Sequence, residues 1–318
     1  MSTLLRDDCL ARTSEALIDL HRRLDGATAA EISFRTWTPR SERKQRQRLF
    51  VETTVHGEAR YVAKVPLDPD DAMVDREWSI LTGLDGLDLP RPRPVGRLGR
   101  GFVMSYVPFS DFPAFMAASA PDEWPDLLCA GVELAARLHR QGPRPTGVTP
   151  RAVAATYLPD RLGLPQATLD WLDRADIAPT HGDLGPWNLR VDQHGRLALI
   201  DWEDYRPIGL PALDVLNLVI TAALIAFPDY PERGFDWLYD QVFHERNPFR
   251  TAADRALNRY ALLTGQDVEA VVGLTPVLCH WMIRRIADQG RPTGHLFFGP
   301  FTERFEAETP RWSGGGRG

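Results

Sequence analysis

The spacing of apolar residues changes once along this chain, near Pro108. Before that proline, an alternation typical of half-buried strands predicts β-strands at 32–37, 49–55, 59–65 and 102–107. After it, helical spacing dominates, in blocks at 122–140, 168–175, 212–226, 251–264 and 268–289. Strands grouped first and helices grouped later predict an α+β protein. We expect a small antiparallel β domain at 1–107 and a larger helical domain at 108–318.

Four local features interrupt this division. A helix is predicted at 1–25, with Gly26 as its stop, and a second helix follows Asp70 and Asp71, whose side chains can cap it. The segment LPRPRPVGRLGRG cannot be helical because prolines recur in it. Within the helical half, two short strands flank the turn at 193–195, and the second of them, LALI, ends at Asp201.

Composition excludes several classes of protein. The chain has 318 residues, 43% of them hydrophobic, and a net charge of −6, which excludes a generally basic protein that coats nucleic acid. No apolar run approaches the length of a membrane span, and Asp7 and Asp8 stand where a signal peptide needs apolar residues. The cysteines, Cys9, Cys129 and Cys279, are too far apart for a disulfide framework or a metal site. We therefore expect a cytoplasmic protein.

Lysine is scarce in this chain, which makes each lysine informative. Of the 37 basic residues only Lys44 and Lys64 are lysines, and the others are arginines. Lysine differs from arginine in being a compact point charge on a flexible stem. A lysine present among so many arginines is therefore a candidate for a role that arginine cannot fill.

The segment HGDLGPWN and the strand that follows it contain the clearest chemical pattern. Asp183 and Asn188 lie five residues apart in a loop that Gly185 and Pro186 prevent from forming a regular helix. Asp201 follows at the end of the LALI strand, thirteen residues after Asn188. Magnesium is a hard cation that proteins hold with one or two carboxylates plus substrate phosphates. Asp201 and Asn188 are suited to bind it, which leaves Asp183 to orient an acceptor hydroxyl and accept its proton.

The β-rich half supplies a complementary pair of charges. Lys64 lies on the strand VAKV, and Glu77 lies on the helix that follows it, in DREWSIL. An ion pair between them would hold the Lys64 ammonium in place for nucleotide phosphates. We therefore expect Lys64 and Glu77 to be in contact.

These motifs together resemble those of the aminoglycoside phosphotransferase and choline kinase-like family, which are small-molecule kinases with a protein-kinase-like fold. The resemblance spans residues 30–220 and is carried by VAKV, DREWSIL, FVMSYVP, AARLHR, HGDLGPWN and IDWEDYRPIGLPALD. It implies a two-lobe fold with a small antiparallel β lobe and a larger helical lobe, and Mg²⁺ and ATP as cofactor and phosphoryl donor. The implied site residues are Asp183 as the catalytic aspartate, Asn188 and Asp201 as magnesium ligands, Lys64 on the donor phosphates, Glu77 beside Lys64, and the backbone of Ser105, Tyr106 and Val107 against adenine.

One segment departs from the family pattern. Members usually have a glycine- or serine-rich turn over the phosphates, whereas this chain has no glycine between Gly26 and Gly57. The loop at 40–48 instead contains basic residues with one acid, Glu42: Arg40, Arg43, Lys44, Arg46 and Arg48. Either this loop folds over phosphate groups or it is a solvated hairpin tip, which is the usual state of a charge run. The missing glycines leave GTP open as an alternative donor.

Several neighbouring residues have two interpretations each. His181 is expected to hold the loop rather than contact a substrate, and Trp202 is expected to anchor the core rather than form a stacking platform. Asp214 is expected to cap its helix or brace the loop rather than take part in chemistry. Glu203 and Asp204 either extend the site or lie on the surface. The aromatic residues Trp237, Tyr239 and Trp281 are expected in the core, with the wall of a pocket as the second interpretation. Four acids either attract a cationic acceptor or are ordinary surface: Asp229, Glu232, Asp236 and Asp240.

The resulting prediction is an ATP-dependent phosphotransferase that acts on a hydroxyl of a small polar molecule, such as an aminoglycoside or an amino sugar. It implies a small-molecule acceptor, with neither nucleic acid nor membrane as a partner. The alternative is a non-catalytic member of the same fold that binds a nucleotide or a partner. A metal-dependent phosphoesterase is disfavoured because the sequence offers no further His or Asp cluster for a two-metal site. The sequence leaves the acceptor and the oligomeric state open.

Overall fold

The computed structural model describes residues 3–37, 48–141, 145–158, 164–294, 296–308, 310 and 312. It contains two compact units. The first is Met1–Pro108 together with Leu199–Glu203, and the second is Phe109–Ala198 together with Asp204–Gly318. The short segment at 199–203 thus lies with the β-rich part of the chain, whereas the expected domains placed it in the helical part. The reason is electrostatic, because the acids of this segment pair with basic residues of the β-rich unit.

The elements of the first unit are α1 (Thr3–Leu24), β1 (Ile32–Trp37), β2 (Arg48–Val55), β3 (Glu58–Pro66), α2 (Met73–Gly83), β4 (Pro94–Leu98) and β5 (Gly101–Ser105). Its five strands form one antiparallel sheet in the order β1-β2-β3-β5-β4. The predicted strands are present, and the turn at 56–57 joins β2 to β3 as expected.

Strand β4 was not predicted, because its prolines are typical of a loop. It lies at the edge of the sheet, where a residue without an N–H group costs no ladder hydrogen bond. Strand β5 ends at Ser105, two residues before its predicted end. The helix expected after Asp70 and Asp71 begins at Met73, and the Asp71 side chain accepts a hydrogen bond from the Met73 amide.

The two faces of this sheet carry different kinds of side chain. On one face Leu49, Val51, Ala63 and Val103 pack with Leu17 of α1 in a buried cluster. On the other face the register aligns Phe50, Lys64 and Phe102 across three neighbouring strands. Successive side chains of a strand point to opposite sides. The alternation that forms the core therefore places Lys64 on the face away from that cluster.

The second unit is mainly helical and confirms the α+β class. Its helices are α3 (Phe112–Ala118), α4 (Trp124–His139), α5 (Pro150–Tyr157), α6 (Gln166–Asp173), α7 (Pro211–Ala226), α8 (Tyr230–Arg233), α9 (Phe235–Phe243), α10 (Pro248–Thr264), α11 (Val268–Gly273), α12 (Thr275–Asp288) and α13 (Phe298–Ala307). Its strands are β6 (Ser110–Asp111), β7 (Ala178–Thr180), β8 (Leu189–Val191), β10 (Arg206–Gly209) and β9 (Leu197–Leu199), whose last residue is counted with the first unit.

The helix α7 forms the centre of this unit, since nearly every residue from Pro211 to Ala223 is buried. The sequence predicted α7 and the long helices α4 and α10, but not the separate short helices α3, α5, α8 and α9, whose apolar pattern is too brief to be distinctive. The block at 268–289 divides into α11 and α12 at Leu274. Among the described residues no single helix is long and apolar enough to cross a membrane, and only the bent pair of Pro248–Thr264 with Val268–Asp288 reaches that threshold jointly.

Candidate active site

Lys64 is the centre of a buried charge cluster in the first unit. Its side chain is 2% exposed, and its ammonium pairs with Glu77 of α2, the contact that the sequence predicted. Lys64 Nζ also lies 3.2 Å from Asp201 Oδ1 and 3.4 Å from Glu203 Oε2. Burial disfavours the charged amine, but these carboxylates outweigh it and raise the pKa of Lys64. The ammonium is therefore fixed in position and permanently charged at physiological pH.

Arg48 is the second cation of this cluster, which corrects the sequence interpretation of a solvated basic loop at this residue. Its guanidinium is bidentate on Asp71, with Nε 2.6 Å from Oδ2 and Nη2 3.2 Å from Oδ1, and it also donates to Glu203. Only 4% of the residue is exposed. Burial lowers the pKa of Arg48, but its carboxylate partners have the larger effect. The net result is a pKa above the ordinary value. The rest of the predicted loop, at 40–47, lies outside the described residues.

The cluster has more negative than positive groups. Four carboxylates, those of Asp71, Glu77, Asp201 and Glu203, face the two cations. Burial together with the charges of Asp201 and Glu203 raises the pKa of Glu77, although Lys64 acts in the opposite direction. Such an excess of negative charge favours an additional cation, and oxygen ligands are those that magnesium takes.

Asp201 is the member of this cluster best placed to accept that cation. Carboxylate oxygens of Glu77, Asp201 and Glu203 lie within 4.8 Å of one another. Glu77 and Glu203 are buried against Lys64 and Arg48, whereas the Asp201 side chain is 28% exposed. Asp201 also has a φ of +62°, a left-handed conformation that aspartate tolerates better than most residues and that is concentrated at functional sites. Its carboxylate thus fits the predicted role of metal ligand.

The backbone at 105–107 was predicted to contact the base of the nucleotide. The Ser105 amide donates to the Arg93 carbonyl at 2.9 Å, and the Tyr106 amide donates to the Arg60 carbonyl at 2.8 Å. Within the described part of the chain, the Val107 amide forms no backbone hydrogen bond. Of the three amides, that of Val107 is therefore the donor suited to an adenine.

In the second unit, Asp214 holds the loop that begins at His181. It lies in the first turn of α7 and is 2% exposed, and it accepts hydrogen bonds from the amides of His181 at 2.6 Å and Gly182 at 2.9 Å. Behind it, His139 Nε2 lies 3.2 Å from Asp214 Oδ2, and Tyr260 Oη lies 2.8 Å from His139 Nδ1. This buried chain fixes the loop backbone, so Asp214 braces the loop, one of the two interpretations that the sequence left open.

Gly182 lets the same loop approach the backbone that follows β9. It has a φ of +84°, and a Cβ at this position would collide with the Asp204 carbonyl oxygen. Only glycine combines this conformation with this approach. Gly182 therefore sets the position of Asp183, its neighbour, relative to Asp204.

Asp183 and Asn188 lie together, because the Asn188 side-chain nitrogen donates to the Asp183 carbonyl at 2.7 Å. This bond uses the amide nitrogen of Asn188, so its side-chain oxygen is the atom suited to a metal. The Asp183 carboxylate meets Arg285 of α12, whose Nη2 lies 2.9 Å from Asp183 Oδ2 and also contacts Asp204. Asp204 is thus half-buried in an ion pair. Sequence reasoning missed Arg285, since no motif surrounds it.

Of the aromatic residues expected in the core, Trp202 and Tyr239 are fully buried, which confirms that interpretation for them. Trp237 and Trp281 are only partly buried, so for these two residues the expectation of a core position was wrong. Three of the acids predicted to attract a cationic acceptor pair with arginines instead: Asp229 with Arg233, and Asp236 and Asp240 with Arg304. These three acids therefore give no support to a cationic acceptor.

Comparisons with known proteins identify the family and the fold of this chain. The model of the "phosphotransferase enzyme family" matches residues 36–241, well over half of the chain. A search of curated proteins finds no significant match. Among solved structures, a macrolide 2'-phosphotransferase from Brachybacterium faecium is 17% identical, with a TM-score of 0.53 and coverage of 93% of this chain and 99% of that one.

Two further structures are similar. A choline kinase from Cryptosporidium parvum is 10% identical, with a TM-score of 0.54 and 92% of each chain covered. A streptomycin–ATP–APH(2'')-IIa ternary complex is 14% identical, with a TM-score of 0.51, 92% of this chain and 97% of that one covered. These similarities show a kinase-like fold of two lobes, and with the family match they support a small-molecule phosphotransferase. The chain belongs to the phosphotransferase enzyme family.

Proposed function

We propose that this protein transfers the γ-phosphoryl group of ATP to a hydroxyl group of a small polar molecule. The observation that carries the proposal is the buried Lys64 ammonium, held by Glu77 with Asp201 beside it. A lysine that served only solubility would be exposed to solvent. The burial of Lys64 among carboxylates is better explained by a need for a positive charge at a fixed position. We expect the protein to act in the cytoplasm, where ATP is available.

Each site residue has a defined part in the proposed reaction. Lys64 neutralises the donor phosphates, and Glu77 keeps its ammonium in place. Asn188 and Asp201 are the proposed ligands of Mg²⁺, which when bound supplies charge neutralisation on the phosphates. Asp183 accepts the proton of the acceptor hydroxyl and orients its oxygen. Phosphoryl transfer needs positioning and charge more than covalent participation, and this set supplies both.

ATP is the proposed donor, with GTP as the second choice. One of the similar structures was solved with ATP, and the Val107 amide is suited to a base. The glycine-free segment between Gly26 and Gly57 is the feature that favours a change of donor, because backbone amides of a glycine-rich turn are the usual cover for phosphates. The same feature favours the alternative function, a member of the fold that binds a nucleotide or a partner without turnover.

The acceptor class is proposed from the family alone. An aminoglycoside, an amino sugar or a similar polyhydroxylated metabolite offers the required hydroxyl. The arginine partners of Asp229, Asp236 and Asp240 remove one argument for a polycationic acceptor. Neutral sugars and amino alcohols therefore belong in the same panel as aminoglycosides.

The test is ADP release from Mg-ATP and Mg-GTP across such a panel. Asp183→Asn serves as the blank, and Asp173→Asn, which alters an exposed aspartate paired with Arg151, serves as the matched control. We expect acceptor-dependent ADP release in the wild type and in Asp173→Asn, and none above background in Asp183→Asn. Nucleotide binding without turnover on any acceptor would instead support the non-catalytic alternative, and equal turnover in Asp183→Asn would refute the proposed role of Asp183.

A further inference from the structure

Arg285 lies outside the residues that the family model matches, yet it contacts the proposed catalytic carboxylate. It belongs to α12, and its side chain is 11% exposed. One nitrogen, Nη2, bridges Asp183 and Asp204, two carboxylates that lie in different loops of the second unit. Burial disfavours the charge of the guanidinium, but the two aspartates outweigh this effect and raise the pKa of Arg285. The guanidinium is therefore charged at physiological pH.

Stability alone explains this arrangement poorly. A buried ion pair must recover the cost of removing both charges from water, and apolar residues of similar volume often serve as well. Here the cost is increased, because Arg285 Nε is buried and has no hydrogen-bond partner among the described residues. A buried polar atom without a partner calls for a reason other than packing. The contact with Asp183 supplies one.

We propose that Arg285 is a positioning residue for Asp183, an inference that rests on the proposed function. By binding Oδ2, the guanidinium fixes the rotation of the carboxylate and leaves Oδ1 as the oxygen for the acceptor hydroxyl. Asp204 holds the guanidinium in turn, and the contact of Gly182 with the Asp204 backbone sets the distance between the two loops. Without Arg285, two neighbouring carboxylates would repel each other, and Asp183 would lose its orientation.

The direct test compares Arg285→Met with Arg284→Met. Arg284 is the next residue on the same helix and pairs with Asp288 at 3.5 Å, so its replacement controls for the loss of an arginine from α12. With an acceptor that the wild type phosphorylates, we expect kcat to fall about 100-fold in Arg285→Met while KM for ATP changes less than twofold, since a misplaced catalytic group costs about that factor. Arg284→Met should match the wild type, and unchanged kcat in Arg285→Met would overturn the inference.

Chemical rescue separates positioning from a general structural role. Arg285→Ala opens space for a free guanidinium ion, and we expect guanidinium chloride at low, non-denaturing concentration to restore part of kcat, with urea at the same concentration as the control. A variant that is inactive only because it is misfolded would not be activated by guanidinium and left unchanged by urea. Equal responses to both additives would count against the positioning role.

A double-mutant cycle tests the contact without any turnover. Unfolding in urea is measured for the wild type, Arg285→Met, Asp183→Asn and the double variant. We expect a coupling of at least tenfold in the unfolding equilibrium constant, which corresponds to about 1.4 kcal/mol. Additive effects would refute the contact itself. A wild type that turns over neither ATP nor GTP would refute the proposed function, whereas an active wild type with an unaffected Arg285→Met would refute only this inference.

Discussion

Replacement of Arg48 by methionine tests whether the buried charge cluster is organised as described. The substitution retains an unbranched side chain but removes the guanidinium. Asp71 would lose both of its bonds from Arg48 and would keep the Met73 amide as a donor, and Glu203 would keep Lys64 at 3.4 Å. Two carboxylates would thus remain buried with fewer partners.

The size of the effect follows from burial. Removal of one partner from a buried ion pair costs about 3–5 kcal/mol, because the other charge stays buried without compensation. The side chains of Arg48, Asp71 and Glu203 are each 5% exposed or less, so we expect the free energy of unfolding to fall by about that amount. Proteins of this kind are stable by only about 5–15 kcal/mol, so the loss would be large.

Arg60→Met is the matched control. Arg60 pairs with Glu58 at 2.8 Å in the same sheet, but the two side chains are 51% and 72% exposed, and exposed pairs contribute about 0–1 kcal/mol. Unfolding of the wild type and the two variants in urea, followed by far-UV circular dichroism, gives the loss of stability in each variant. An Arg48→Met protein that loses no more stability than Arg60→Met would refute the assignment of Arg48 to a buried cluster.

The same variant predicts a change with pH. Burial would raise the pKa of Asp71, but the hydrogen bonds and charge of Arg48 lower it below its ordinary value. A carboxylate with a lowered pKa stabilises the fold above its unfolded-state value, near 4, and this stabilisation is lost as the pH falls towards the folded-state value. In the wild type we therefore expect the free energy of unfolding to fall on acidification below pH 4. In Arg48→Met the Asp71 share of that loss should be absent, and an identical slope in both proteins would contradict this explanation.

Three further substitutions test other parts of the two units. Asp214→Ala removes the acceptor for the amides of His181 and Gly182, and we expect it to lower the free energy of unfolding in urea by about 3 kcal/mol. Gly182→Ala combines a φ of +84° with a collision against the Asp204 carbonyl, so it should destabilise by about 2 kcal/mol or more and lower kcat, whereas wild-type stability would refute the close approach. Asp201→Asn tolerates the same φ of +62° without the charge. We expect it to change stability by less than about 1 kcal/mol but to abolish the Mg²⁺ dependence of ATP binding in calorimetry.

Local sequence patterns determined the main strands and helices of this protein and the order of its motifs. Alternation of apolar residues predicted the strand that contains Lys64, and helical spacing predicted the helix that contains Glu77. Both patterns can be found in the sequence because the repeats of a strand and of a helix are properties of the backbone itself. The order of these residues along the chain, with the HGDLGPWN loop behind them, was sufficient to indicate the family. The contact between Lys64 and Glu77 followed, since a strand and the helix after it are close in sequence as well as in space.

Tertiary structure alone decided which charges are buried and with which partners. Arg48 follows a run of basic residues and looks solvated in sequence, yet it is buried because Asp71 and Glu203, 23 and 155 residues further on, meet it. Arg285 lies 102 residues from Asp183 and has no motif around it. The energy of a charge depends on what surrounds it in three dimensions and not on its neighbours along the chain. For that reason the sequence determined most of the longer elements and the proposed catalytic motif, and the fold determined the ion pairs that hold them.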